Sequence, residues 1–301
     1  MERWATRYFS VSAPTTTAAD PTQIARNAVR NTSQLATLPE ITQRIITAVE
    51  DPRSSAGQLH KIISHDPALV TRVLKIVNSA FYGIPGQIAS IERAIVLLGL
   101  NAVKNLAVAS SLGQLFRKTK LYSGADAKDL WKHCVAVAVA SRELAVAAKL
   151  PLAEQAFLAG LIHDVGILVE LQNWPEKLRT VCESADKGGD FCVIEQEKLG
   201  VDHQIVGRIL AEQWKFPKIC QDVAGCHHQP CDAPEESRAL VNIVYVADTL
   251  CCQQGEGFSL TARNQSFDLP ALEATGISAE TLSTVTASLR DKVADAWTGM
   301  A

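Results

Sequence analysis

The stretch AFLAGLIHDVGILV, residues 156–169, decides the fold. Phe157, Leu158, Leu161, Ile162, Val165, Ile167, Leu168 and Val169 leave it no polar face. A helix that is apolar all round belongs at the centre of a protein. The pattern predicts one helix that begins with Pro151 in its first turn and runs to about Gln172. In its middle, side by side, stand His163 and Asp164. A buried ionised carboxylate is strongly unfavourable unless something compensates it. Neighbouring helical positions diverge by about 100°, yet two such side chains can converge on an ion lying between them. The other reading is a His–Asp pair hydrogen-bonded to adjacent helices.

An earlier His-Asp pair, His65-Asp66 in SHDPAL, reads differently. Asp66 precedes Pro67 and a helical run, and Asp at the N-cap with Pro at the first helical position is a common helix start. Outward from these pairs the chain is helical throughout. Ile41, Ile45, Ile46 and Val49 recur at helical spacing, as do Leu69, Val70, Val73, Leu74 and Val77. Ser90 is the expected cap of IERAIVLLGL, and Asp202 that of a helix reaching Trp214. Residues 128–150 and 240–252 read as buried helices, and a last helix is expected over about 278–298. No stretch alternates as a strand would. The fold class is therefore all-α, a multi-helix bundle.

Composition sets the outer limits. Of 301 residues, 47% are hydrophobic and 20% charged, enough to bury a large core. A net charge of −3 argues against a nucleic-acid or anionic-lipid partner. Residues 1–21, rich in Thr, Ala, Ser and Pro, are expected to be loosely held. They lack the apolar stretch of a secretory signal, and no run approaches the roughly 18 apolar residues of a membrane span. Eight scattered cysteines without a CxxC pair read as reduced thiols, so a cytoplasmic protein is expected.

His133 and Asp248 interrupt apolar helical runs in the same way as His163-Asp164. His203 starts a helix, and His227-His228 end the next. Any one of these is more often a satisfied polar residue than a ligand. Seven of them favour a shared site, and imidazoles mixed with carboxylates suit Fe, Mn or another divalent transition ion. The set expected to hold metal is His133, His163, Asp164, His203, His227, His228 and Asp248. CHHQPC, 226–231, offers a rival zinc reading, but its spacing is cramped and no second Cys/His pair lies at finger-like distance.

The order His133, His163-Asp164, His203, His227-His228, Asp248 resembles the HD superfamily of metal-dependent phosphohydrolases. LPEITQRIITAVEDP, IISHDPALVTRVLKIVNSAFYG and IERAIVLLGLNAVKNLAV resemble the first half of an HDOD domain, the HD-related output domain of bacterial signalling proteins. WKHCVAVAVASRELA, EKLGVDHQIVGRILAEQW and HHQP continue the likeness. It implies HDOD-type N-terminal helices over about 22–120, packed on an HD-like core over about 121–256, with 257–301 as a helical extension. It also implies that His133, His163, Asp164 and Asp248 hold one ion, and that His203, His227 and His228 help hold further metal. Two features depart from the catalytic relatives. Ile167 follows Gly166 where they carry a lysine, and HHQPCDAPEES replaces the GYP signature. The resemblance therefore implies a regulatory module working through signalling proteins, with a nucleotide or cyclic dinucleotide as a conceivable ligand. The alternative is a metal-dependent phosphohydrolase acting on cyclic dinucleotides or nucleotides, with Asp164 as its catalytic residue.

Overall fold

The apolar run of 156–169 folds as two helices. In the computed structural model, which describes residues 20–32, 38–50, 53–116, 120–122, 125–267, 272–273 and 275–300, the chain breaks at His163-Asp164. One helix ends at Ile162 and the next begins at Val165. The expected single helix is thus corrected. Asp164 takes φ −99° and ψ 12°, a sparsely used region where many functional residues sit. The first helix begins at Ala153, so Pro151 lies ahead of it instead of in its first turn.

In chain order the N-terminal helices are α1 Pro21–Asn31, α2 Glu40–Glu50, α3 Ala56–Ser64, α4 Pro67–Val77, α5 Ile91–Leu98 and α6 Leu100–Leu112. A minute antiparallel ribbon follows, β1 Lys120–Tyr122 with β2 Ala125–Asp126. Then come α7 Ala127–Ala147, α8 Ala153–Ile162, α9 Val165–Asn173, α10 Pro175–Asp186 and α11 Phe191–Leu199. The chain continues with α12 His203–Gln213, α13 Lys218–Cys226, a 3-10 turn at Pro230–Asp232, α14 Glu235–Gln254 and α15 Ala279–Met300. The fold is all-α as expected. No helix among the described residues is long and apolar enough to cross a membrane. The loosely held segment expected over 1–21 lies outside the described residues up to 19; Asp20 caps α1 through the Thr22 amide, 3.0 Å away.

The caps explain where helices start. Asp66 accepts from the amides of Ala68 and Leu69 at 2.9 and 3.0 Å, Ser90 from Arg93 at 3.2 Å, and Asp202 from Ile205 at 3.0 Å. Each satisfies a helix-end donor that would otherwise lack a partner.

Helix α7 is the axis, packed by α8, α14 and α15. Its residues from Cys134 to Ala140 are fully buried, and their small Ala and Val side chains let neighbours approach. Both glycines of GLIHDVG serve close packing. A Cβ on Gly160 would stand 2.9 Å from the Val137 carbonyl oxygen of α7. A Cβ on Gly166 would collide with the His203 carbonyl oxygen and stand 2.8 Å from the Gly207 amide nitrogen of α12. The glycines therefore set the α8–α7 and α9–α12 spacings, and those four helices carry most of the polar centre. Helix α1 packs on α9 and α12, tied by Asn173, whose Nδ2 donates to the Ala28 carbonyl at 3.1 Å and to Thr32 Oγ1 at 2.8 Å. Helix α15 lies across α7 and α4, and the Met300 carbonyl accepts from Trp131 Nε1 at 3.2 Å.

Candidate metal centre

All seven residues expected to meet do meet. His133 comes from α7, His163 and Asp164 from the α8–α9 break, and His203 from the first position of α12. His227 and His228 follow α13, and Asp248 lies in α14. Six of the seven are 0% exposed, and the His228 side chain is 6% exposed. Five of the seven histidines in the chain are thus gathered in one place.

Asp164 is the centre of the arrangement. Its Oδ2 lies 3.3 Å from His163 Nε2 and 3.7 Å from His133 Nε2. Its Oδ1 lies 3.4 Å from His203 Nε2 and 3.3 Å from His227 Nε2. Asp248 Oδ1 closes the first side, 3.0 Å from His133 Nε2 and 3.8 Å from His163 Nε2. His228 joins the second side, with its Nδ1 3.8 Å from Asp248 Oδ2. Two sets of donor atoms, His133/His163/Asp248 and Asp164/His203/His227/His228, each lie within 4.8 Å of one another. The carboxylate of Asp164 stands between them.

The outer ring nitrogens are all engaged. His133 Nδ1 bonds to the Glu256 carbonyl at 3.2 Å, and His163 Nδ1 to the Gly160 carbonyl at 2.7 Å. His227 Nδ1 faces the Val223 and Ala224 carbonyls at 3.2 Å, and His203 Nδ1 faces Glu195 Oε2 at 2.7 Å. Each acceptor places the ring proton on Nδ1 and leaves the Nε2 lone pair facing inward. Metal-bound histidines are oriented in this way. Inside, the donors lack hydrogen-bond partners: Nε2 of His133, His163 and His228, both oxygens of Asp164, and Asp248 Oδ2. Buried polar atoms are rarely left so. The donor set, its inward lone pairs and these orphaned atoms fit divalent transition ions.

Burial and charge oppose one another here. Burial would raise the Asp164 and Asp248 carboxyls, but the surrounding imidazoles hold both below the usual carboxylate range. Burial would lower His163, but the adjacent Asp164 and nearby Asp248 hold its imidazole above its usual value. For His227 burial prevails, and for His228 burial and the neighbouring His227 do, so both sit below the ordinary imidazole value.

CHHQPC does not form a zinc site of its own. Its histidines turn to the common centre, while Cys226 and Cys231 enter no donor group among the described residues. Ile167 is fully buried where a cation was noted as missing. The charged partners of Asp164 and Asp248 are all imidazoles.

Two parts of the site escape the sequence reading. One is a buried acidic pair, Glu170 of α9 and Glu195 of α11, both 0% exposed. Both oxygens of Glu170 and the Oε1 of Glu195 are buried without a hydrogen-bond partner. Burial pushes both carboxyls well above the usual range, helped for Glu170 by the adjacent Glu195. Glu170 interrupts the apolar run GILVELQ, the same signal that marked His133 and Asp248. Glu195 sits in IEQEK and looks like part of a solvated face. The other is the segment 256–267, which lies over the donors. The Glu256 carbonyl takes the His133 ring proton, and the Glu256 carboxylate pairs with Lys132 at 3.0 Å. Phe258 stacks edge-on with Phe191, which in turn meets the His203 ring. Gln265 Oε1 lies 3.3 Å from His228 Nδ1, and its Nε2 donates to Thr249 Oγ1 at 2.7 Å.

Comparison with known proteins agrees with this architecture. A solved HDOD domain protein of unknown function from Geobacter sulfurreducens superposes with a TM-score of 0.79 at 23% identity, over 92% of this chain and 97% of that one. A candidate phosphohydrolase from Shewanella amazonensis gives 0.74 at 24% identity, over 92% and 98%. A candidate signal transduction protein from Marinobacter aquaeolei gives 0.75 at 24%, over 93% of this chain and 66% of that one. An uncharacterised protein of Treponema pallidum is 28% identical over 229 residues, 75% of this chain. The chain spans 44% of the length of that curated relative. The sequence pattern of the HDOD domain itself matches residues 35–230, from the segment before α2 to the 3-10 turn after His228. The chain belongs to the HDOD domain family.

Proposed function

We propose that the protein is a regulatory module that holds divalent transition ions in its helical core and passes a signal through contacts with other signalling proteins in the cytoplasm. The observation that carries the reading is the convergence of orphaned, fully buried donors on Asp164, with their outer ring nitrogens already anchored. His133, His163 and Asp248 would hold one ion and Asp164, His203, His227 and His228 a second. A divalent ion bound there supplies concentrated positive charge, which the two carboxylates call for. The donors are sealed beneath 256–267, so an ion would tie α7, α9, α12, α13 and α14 together at their centre. Its binding would be binding to the folded state and would stiffen the module.

One observation favours a phosphohydrolase as the second reading. Two ions flanking a bridging carboxylate form a clamp suited to phosphoryl oxygens. Asp164 would then be the catalytic residue, and a nucleotide or cyclic dinucleotide the substrate. Two features weigh against it. The buried Ile167 puts no charge where negative charge would develop, and the donors have almost no exposed surface.

The test is metal analysis of untagged protein, followed by a cyclic-dinucleotide and nucleotide panel with added Mn²⁺ or Fe²⁺. The regulatory reading predicts bound metal and no turnover. Turnover that His163→Ala and Asp164→Ala both abolish would transfer the assignment to the hydrolase.

A further inference from the structure

Four of the candidate ligands are histidines whose Nδ1 atoms have clear acceptors, and one acceptor differs from the rest. His133, His163 and His227 rely on neutral backbone carbonyls. His203 relies on a side-chain carboxyl, Glu195 Oε2, at 2.7 Å. The same oxygen accepts the His203 backbone N–H at 3.2 Å, so Glu195 grips the residue at both its ring and its main chain.

The local fold is built to hold that grip. Helix α11 ends in a left-handed Gly200 at φ 77°, which turns the chain directly into α12. Asp202 caps α12 and accepts from Gln196 Nε2 at 2.8 Å, locking the turn one residue along from Glu195. Behind Glu195 stands Glu170 of α9, and the Phe191 ring meets His203 edge-on at 5.8 Å between centroids. Cys192 also lies within 4.8 Å of the Glu195 and His203 donor atoms. Burial and the nearby carboxylates raise its thiol, and within this group His203 Nδ1 already bonds to Glu195 Oε2.

We infer that Glu195 is the positioning residue of the second donor set: it fixes the His203 ring with its proton on Nδ1 and its Nε2 lone pair toward Asp164 and His227, and thereby sets that set's affinity for a transition ion. The inference rests on the two-ion reading above for its affinity half only. A side-chain acceptor that holds both ring and main chain fixes an imidazole more firmly than a lone carbonyl does, and removing such a support lowers metal affinity by about 10–100-fold. The two donor sets are therefore unequal by construction, because the His133 and His163 rings are held by backbone carbonyls.

Two measurements decide it. The first uses metal-free protein with ¹⁵N-labelled histidine, comparing wild type with Glu195→Gln. The wild-type His203 should be the Nδ1–H tautomer with a strongly downfield ring proton, and Glu195→Gln should lose that signal. A wild-type His203 protonated on Nε2, or a spectrum unchanged by the substitution, overturns the positioning role. The second is Mn²⁺ binding by equilibrium dialysis on the full chain. Wild type should show two classes of site, and Glu195→Gln should weaken one class by about 10–100-fold while the other stays as it was. Glu195→Asp, which keeps the carboxyl group but withdraws it by one methylene, should fall between. Equal binding by wild type and Glu195→Gln overturns the affinity role. Wild type that takes up no Mn²⁺ overturns the metal reading, and the tautomer spectra then decide the role of Glu195 alone.

Discussion

The chain contains two His-Asp pairs, and each stands at a joint between two helices. His65 closes α3 and Asp66 opens α4; His163 closes α8 and Asp164 opens α9. The side chains do opposite things. Asp66 turns back on its own helix and accepts two backbone amides, with 36% of its side chain in solvent and His65 exposed beside it. Asp164 makes no capping bond to its own helix, is 0% exposed, and presents both oxygens to four imidazoles. The same dipeptide at the same kind of joint is helix punctuation in one place and the centre of a ligand set in the other. What differs is the backbone at the aspartate, extended at Asp66 and in the bridge region at Asp164, and the surroundings. Pro67 and water support the first pair, whereas α7, α12, α13 and α14 surround the second. A capping carboxylate that declines its amides must have a stronger attraction elsewhere, and here that is a ring of imidazoles.

Substitution at the two aspartates should separate them most sharply. Asp164→Asn should remove metal binding from both donor sets, a loss larger than the roughly 100-fold upper range for a supporting residue. Equilibrium dialysis with Mn²⁺ checks it, and retention of either class would break the contrast. Next in size is Gly166→Ala. Its methyl would strike the His203 carbonyl and force α9 from α12, at a cost of about 1–3 kcal/mol or more. Denaturant melts of metal-free protein measure it; an unchanged midpoint would show that the crossing is looser than described.

Acidity gives the third test. His163 binds its proton more tightly than an ordinary imidazole, so that proton competes with metal. Metal affinity should therefore fall as pH drops through the raised His163 value, by up to about tenfold per unit. His227 and His228 are shifted the other way and should add no competition until below the ordinary imidazole range. Calorimetry in buffers of different ionisation enthalpy should detect proton release on metal binding that grows as pH falls. Zero release would contradict the charge assignment. The smallest effect belongs to Asp66→Ala, which should cost about 1 kcal/mol of stability and leave metal content unchanged. A drop in metal content there would erase the distinction between the pairs.

Much of this was legible in the amino acids, for identifiable reasons. Asp66-Pro67, Ser90 and Asp202 announce helix starts because capping is local chemistry. His133 and Asp248 stand out because a ligand-type residue inside an apolar helix has few other uses. The break at 163–164 was hidden because the apolar run continues unchanged across it and Asp164 does not cap. Glu195 was hidden because neighbouring charges in IEQEK imitate a solvated face, while in the fold α10 packs on α11 and His203 and Glu170 lie against its carboxyl. The cover supplied by Glu256 and Gln265 depends on long-range folding of a segment with a weak pattern, which no spacing rule reads.

Metal content of untagged protein, after equilibration with Mn²⁺ or Fe²⁺ and removal of loose ions, tests the central claim most directly. Wild type should retain about two ions per chain, and Asp164→Asn almost none with its helical content unchanged. A wild type that retains none, or an Asp164→Asn protein that retains as much as wild type, would contradict the claim that the buried imidazoles and carboxylates are gathered to hold metal.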